Sequence, residues 1–168
     1  MALIRVQTAP LDNSIPCRAF YDNMESALSV GIKQSGKFYS YVEAECFSFD
    51  LTKAGKLLNI DVWKPRDEWQ IEKDLHPPDD FDRENVIFLD ERLKVEPATY
   101  FTNPERNLLH IRFTKGTVHR FVSPASSLIF ELSKENELMG LWITNIEDDF
   151  GFKKEAIWRV TVKSVDAD

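Results

Sequence analysis

Apolar and polar residues alternate along most of the chain with a period of two. Leu28, Val30 and Ile32 stand at every second position, and residues 57–62 and 109–113 show the same spacing. This period is typical of strands with one face in a core and one face in solvent. Further strands are predicted at residues 3–7, 86–89 and about 155–163. The pattern therefore predicts a mainly β protein with few short helices.

The alternating segments also repeat. Phe49 and Phe130 each begin a matching run of an aromatic residue, an acid, a leucine, a hydroxyl residue and a lysine. At the same offset, residues 57–62 match residues 138–143, and upstream a one-residue slip aligns Asn23 with Asn103. Several matches in one order at one spacing indicate an internal duplication.

The duplication predicts one domain made of two related, antiparallel four-stranded units packed as a β-sandwich or barrel. Turns are expected at Ser35-Gly36 and Lys115-Gly116, and each unit is then a meander of neighbouring strands. The predicted segments are repeat one at about 20–63, a connector at about 64–99, repeat two at about 100–145 and a C-terminal strand at about 155–163.

The first unit resembles the small prokaryotic family called domain of unknown function 2283. The resemblance rests on Tyr21-Asp22 followed by Ala27-Leu28, and on residues 49–51 followed by Gly55 and an alternating strand at residues 57–62. The second unit departs from this pattern at Phe101-Thr102 and keeps the closing hairpin. The resemblance implies a compact β-rich domain and brings no activity with it.

The connector is rich in proline and acid and is expected to be a solvated link with one short helix at residues 66–75. Its carboxylates fall on the ligand spacing of a calcium loop. Asn85 replaces the glycine of such a loop, and Pro77-Pro78 prevent an entering helix. No metal is therefore expected at these four residues: Asp80, Asp82, Glu84 and Glu91.

The best candidate ligand-binding cluster is His110, Arg112 and His119. A two-residue turn at Lys115-Gly116 would place Arg112 opposite His119 and all three side chains on one sheet face. Imidazole titrates near neutral pH and Arg binds carboxylates through two nitrogens, so the trio suits an anion site or acid–base work. The alternative is the polar, solvent-facing side of an ordinary sheet.

Charge and cysteine content restrict the partners. The chain has 28 acidic against 21 basic residues and a formal net charge of −7, which disfavours binding to nucleic acid. Its apolar runs are too short to cross a membrane, and residues 1–7 do not form a secretory signal. Cys17 and Cys46 are expected to be reduced structural thiols in a cytoplasmic protein.

The sequence contains no catalytic or cofactor-binding motif. The expected function is therefore a non-enzymatic binding or protein-interaction module without a cofactor, with a homodimer through an unpaired sheet edge as one arrangement. The alternative is a small-molecule binder or enzyme of cupin-like or lipocalin-like shape, with its pocket between the repeats. A buried cavity favours the second interpretation, whereas a filled interior with an exposed apolar patch favours the first.

Overall fold

The computed structural model describes residues 3–159, which form two packed β-sheets and confirm the mainly β prediction. The strands of the first half are β1 (Ile4–Pro10), β2 (Cys17–Asp22), β3 (Ala27–Ile32), β4 (Ser40–Ala44), β5 (Phe47–Leu51), β6 (Leu57–Val62) and β7 (Gln70–Ile71). Those that follow are β8 (Asp82–Phe88), β9 (Leu93–Lys94), β10 (Thr99–Thr102), β11 (Leu109–Arg112), β12 (Arg120–Ala125), β13 (Leu128–Leu132), β14 (Glu137–Ile143) and β15 (Glu147–Asp149).

The strand order is the same in the two halves of the structure. The seven-stranded sheet runs β15-β2-β3-β6-β5-β4-β9, and the eight-stranded sheet runs β1-β8-β12-β13-β14-β11-β10-β7. Strands β2 to β6 thus have the same neighbours as β10 to β14. The eight-stranded sheet also curls back on itself, because β1 pairs with β14 as well as with β8.

The closing hairpins of the two units have one register. Phe49 is opposite Ile60 in the first, and Phe130 is opposite Leu141 in the second. Each hairpin has a bulge at the corresponding step, after Asp50 and after Glu131. The constant offset of the sequence repeat predicts such a match of partners.

The turns of the two units also match. Cys46 and Ser127 occupy equivalent positions of the repeat, and both have positive φ, of 64° and 63°. Gly55 and Asn136 form a second such pair. Gly55 donates its backbone N–H to the carbonyl of the residue three positions before it, and Asn136 does the same. Glycine and asparagine are the residues that adopt this conformation at least cost.

Strands β1 and β8 join the two units through a symmetric pairing. They run antiparallel, with Val6 opposite Phe88 and Thr8 opposite Val86. Val6 donates its N–H to the carbonyl of Asn136 in the second unit, and Phe88 donates its N–H to the carbonyl of Gly55 in the first. Each unit is therefore extended by a strand from the other half of the chain, as a local two-fold relation requires.

The space between the sheets is filled by aromatic rings. Phe47 and Phe49 of the first unit are fully buried, and their ring centroids lie 4.6 Å apart. Phe113 lies 5.1 Å from Phe47, and the rings of Phe88 and Phe130 both pack against Phe49. Close packing of this kind holds the two sheets together through dispersion and the hydrophobic effect.

The predicted meander is wrong at one connection in each unit. Strand β3 pairs with β2 and β6, and not with β4. Residues 33–39 and 113–119 are therefore crossing loops, and Ser35-Gly36 and Lys115-Gly116 are not two-residue hairpin turns. The physical reason is non-local: β3 and β11 complete their ladders on β6 and β14, whose apolar faces continue the same core.

The connector contains the strand predicted at residues 86–89, and this strand begins earlier than predicted, at Asp82. Strand β8 lies between β1 and β12 in the eight-stranded sheet. Only Arg66–Glu68 is helical where a short helix is expected at residues 66–75, and it is a single 3₁₀ turn. Trp69, which follows this turn, is 2% exposed and belongs to the core.

The predicted C-terminal strand at about 155–163 is wrong over its described part, because residues 154–159 are helical. Residues 160–163 lie outside the described residues. Glu155 and Arg159 form an ion pair one helical turn apart, and the Trp158 ring lies against Gly31 of β3. The period-two pattern is overridden because this segment covers the face of a sheet rather than joining its edge.

Candidate functional site

The structure does not bring His110, Arg112 and His119 together, so the predicted cluster is wrong. His110 and Arg112 lie on one face of β11, but β11 pairs with β10 and β14. Arg112 is opposite Gly140 of β14, and Gly140 is in turn opposite Glu131 of β13. Strand β12 is the next strand across the sheet, beyond β13. Three strand spacings of about 4.8 Å therefore separate Arg112 from β12. His119 is exposed just before β12 begins.

His110 instead forms a buried polar cluster with two residues of the neighbouring strands. Its Nε2 lies 3.0 Å from Oε1 of Glu131, and the indole N–H of Trp142 donates to the other carboxylate oxygen at 3.2 Å. The imidazole and indole rings stack 3.9 Å apart and 8° from parallel. We call these three residues the Glu131 cluster.

The Glu131 cluster is closed to solvent. His110 is 8% exposed, and Glu131 and Trp142 are each 6% exposed. Leu75 and Ile129 pack beside Trp142 on the outer face of the sheet. A carboxylate beside an imidazole could act as a base, but here both groups are buried and already bond within the protein. The cluster therefore fixes the outer face of the sheet.

Gly140 makes room for the carboxylate of Glu131. A Cβ at position 140 would fall on Oε1 of Glu131, well inside contact distance. Sequence reasoning missed Glu131 and Trp142, although one signal was available: Glu131 is the single acid among the apolar residues 128–132. A carboxylate in an apolar strand implies a buried partner.

The first unit carries a different polar cluster at the same positions. Asp50 and Asp61 are the residues of the first repeat that align with Glu131 and Trp142. The side-chain N–H₂ of Asn59 donates to Asp50 at 2.7 Å and to Asp61 at 2.9 Å, and the Ser48 hydroxyl donates to Asp50 at 3.2 Å. Two carboxylates are thus held together by neutral donors.

The helix at residues 154–159 lies over this second cluster. The pKa of Asp61 is raised to about 6, mainly by burial and then by the nearby charges of Asp50 and Glu155, whereas Arg159 opposes the change. Arg159 also donates to the backbone carbonyl of Leu58 at 3.3 Å. Ionisation of Asp61 therefore adds negative charge under the helix.

We expect Asp61→Asn to stabilise the protein near neutral pH. The folded-state pKa of Asp61 lies above its unfolded value, so the folded state favours the protonated carboxyl. The contribution of Asp61 to the free energy of unfolding is then fully present below about pH 4 and is lost as the pH rises through about 6. The variant removes this loss and keeps an acceptor for Asn59.

Urea unfolding at pH 4.5 and pH 7.5 measures the effect of Asp61→Asn. The difference between variant and parent should be small at the lower pH and larger at the higher one. The exposed Asp67→Asn, outside this cluster, serves as the control. An equal difference at both pH values would contradict the raised pKa of Asp61.

Two of the four residues with calcium-loop spacing lie in an extended strand, and the other two lie outside it. Asp82 and Glu84 belong to β8, and Glu84 forms an ion pair with Arg120. Asp80 precedes the strand, and Glu91 follows its end. No group of three potential metal-ligating side chains is found within residues 3–159.

Cys17 does not supply an activated nucleophile. Cys17 and Cys46 are free thiols. Cys17 is 6% exposed, and burial raises its pKa to about 12, which keeps it protonated at neutral pH.

The crossing loop before β4 exposes a group of aromatic and basic side chains. Phe38 is 61% exposed and Tyr39 is 38% exposed. A shallow groove of about 490 Å³ lies between this loop and the β5–β6 turn, and Lys37, Lys53 and Lys56 also line it. We call these five residues the Phe38 patch.

Backbone contacts hold the Phe38 patch in place. The N–H of Tyr39 donates to the carbonyl of Leu51 at 2.9 Å, and the N–H of Arg92 donates to the Ser40 hydroxyl at 2.8 Å. The Arg92 guanidinium and the Lys53 ammonium lie 5.6 and 5.8 Å from the centre of the Tyr39 ring. These contacts hold Tyr39 and the backbone beside it at one end of the sheet.

Comparison with known proteins does not extend these observations. No protein-family model and no curated protein matches the sequence. In the part of the chain that the structure describes, no helix has both the length and the apolar character needed to cross a membrane.

Proposed function

We propose that this protein is a non-enzymatic protein-interaction module that binds its partner through the Phe38 patch. The observation that carries the proposal is an exposed aromatic pair, with the backbone of Tyr39 bonded to Leu51, on a protein whose interior between the sheets is filled by phenylalanine rings. Exposed aromatic side chains held in fixed positions are typical anchors of interfaces.

The packing of the interior supports this function over a ligand pocket between the repeats. Phe47, Phe49 and Phe130 are all fully buried at the place where a cupin-like or lipocalin-like pocket would lie. The described grooves lie at the surface, and the Glu131 cluster is closed to solvent. Free thiols also suit a cytoplasmic setting, which belongs to the same proposal.

A homodimer through a sheet edge stays a prediction. The outermost strands β7, β9 and β15 have two, two and three residues. Short edge strands offer few free backbone groups for pairing. The Phe38 patch therefore has the stronger support as an interaction surface, and the resemblance to the domain of unknown function 2283 family adds no activity to it.

Affinity capture from a lysate of the source organism tests the proposal when three forms of the protein are compared. A partner bound by the parent protein should be lost with Phe38→Ser, whose binding we expect to be at least about tenfold weaker, because a central aromatic anchor contributes about 2 kcal/mol or more. It should be retained with Met24→Ser, which removes another apolar side chain, 73% exposed, outside the patch. Equal capture by both variants, or equal loss, would contradict the assigned surface.

A further inference from the structure

The Phe38 patch is basic on an acidic protein. Lys37, Lys53 and Lys56 are exposed and line its groove, and no Asp or Glu is among the described residues that line it. Arg92 adds a fourth positive charge beside Tyr39. The whole chain carries a net charge of −7, so this local excess of positive charge runs against the average.

The lysines of the patch are available to a partner. Within residues 3–159, no ion pair engages Lys37, Lys53 or Lys56. Lys53 lies over the ring of Tyr39 and is otherwise exposed to solvent. On the far side of Lys53, Asp90 and Glu91 line a neighbouring groove, and Asp90 is neutralised by two hydrogen bonds from Arg5.

The second unit has no such surface at the equivalent positions. His119 and Arg120 stand where the first unit has Phe38 and Tyr39, and Glu137 stands where it has Lys56. Arg120 is engaged by Glu84 and by the hydroxyl of Thr8. The patch is therefore a feature of one unit rather than a consequence of the shared fold.

We propose that the Phe38 patch binds an acidic segment of a partner protein. An apolar side chain of the segment packs against Phe38 in the groove, and its flanking carboxylates pair with Lys37, Lys53 and Lys56. Aromatic contact supplies desolvated area, and the surrounding charges select the partner and speed association. The inference rests on the proposed function and names the chemistry of the partner.

A peptide is favoured over a nucleic acid because of the long-range field. A nucleic acid carries one negative charge per nucleotide along its whole length. Outside the small basic patch, the net charge of −7 of the protein repels these charges. A short acidic segment places its few charges on the patch alone. At about 0.1 M ionic strength, charges more than about 10 Å away are largely screened.

Fluorescence anisotropy with synthetic probes tests the inference on the full chain. The probe is a short fluorescein-labelled peptide in which glutamates flank a central phenylalanine, and its control has glutamines in their place. We expect saturable binding of the first probe only, weakened several-fold when the salt concentration rises from about 50 to about 300 mM.

Matched variants locate the binding. Lys53→Gln combined with Lys56→Gln should weaken the acidic probe about tenfold, whereas Lys134→Gln, at the position equivalent to Lys53 in the second unit, should leave its affinity unchanged. Phe38→Ser should weaken both the probe and the captured partner. Circular dichroism of each variant confirms that it is folded.

Four results would overturn the inference. These are equal binding of the glutamine probe, equal weakening by Lys134→Gln, preferential binding of an oligothymidylate, and a concentration-dependent dimer that Phe38→Ser abolishes in sedimentation. The first would leave the proposed function intact, because an apolar partner could still use Phe38. Loss of partner capture with Met24→Ser but not with Phe38→Ser would instead contradict the proposed function itself.

Discussion

Replacing Gly55 with alanine is expected to destabilise the protein by roughly 3 kcal/mol. Gly55 has a φ of 84°, which is unfavourable for a residue with a side chain. An added Cβ would also press on the backbone carbonyl oxygen of Phe88, which cannot move freely because the N–H of Phe88 donates to Gly55. Urea unfolding followed by tryptophan fluorescence measures the loss.

Two further variants separate the contact with Phe88 from the backbone conformation. Gly55→Asn supplies a residue that tolerates positive φ but keeps the Cβ, so it should remain strongly destabilised. Asn136→Gly, at the equivalent position of the second unit, should change the free energy of unfolding by less than about 1 kcal/mol. If Gly55→Asn is as stable as the parent, close approach to β8 is not what requires glycine at position 55.

Local signals were sufficient to predict most of the strands. The hairpin of β5 and β6 combines a period-two alternation of apolar and polar residues with a glycine turn, and both features lie close together in the sequence. The repeat then predicted its counterpart, β13 and β14. Strand formation and hairpin register depend on neighbouring residues, so one sequence contains the necessary information.

Strand neighbours were harder to predict, because they depend on distant residues. A glycine near the middle of residues 113–119 suits both a tight hairpin and a crossing loop. Strand β11 pairs with β14, although β12 and β13 lie between these two strands along the chain. Because β11 pairs with β14 and not with β12, His119 lies away from His110, and Glu131 and Trp142 lie beside His110. The helix at residues 154–159 was missed for a similar reason, since it is stabilised by packing on Gly31.

Removal of the His110 side chain is expected to cost about 3 kcal/mol, through its effect on Glu131. His110→Leu fills a similar volume, but it removes the imidazole that bonds to the buried carboxylate of Glu131. The carboxylate then keeps only its side-chain hydrogen bond from the indole N–H of Trp142. An uncompensated buried charge is costly, whereas an apolar replacement of both partners is often neutral. The double variant His110→Leu/Glu131→Leu should therefore regain part of the lost stability, because it removes the buried carboxylate but leaves the indole N–H of Trp142 without its acceptor.

Urea unfolding at pH 7 of His110→Leu, Glu131→Leu and the double variant distinguishes a buried ionic contact from simple packing. If His110 contributes only volume and stacking on Trp142, the double variant will be no more stable than His110→Leu. The control is His119→Leu, which changes an exposed imidazole of the same chain and should alter the free energy of unfolding by less than about 0.5 kcal/mol. A large loss in His119→Leu would instead contradict the small contribution expected of its exposed side chain.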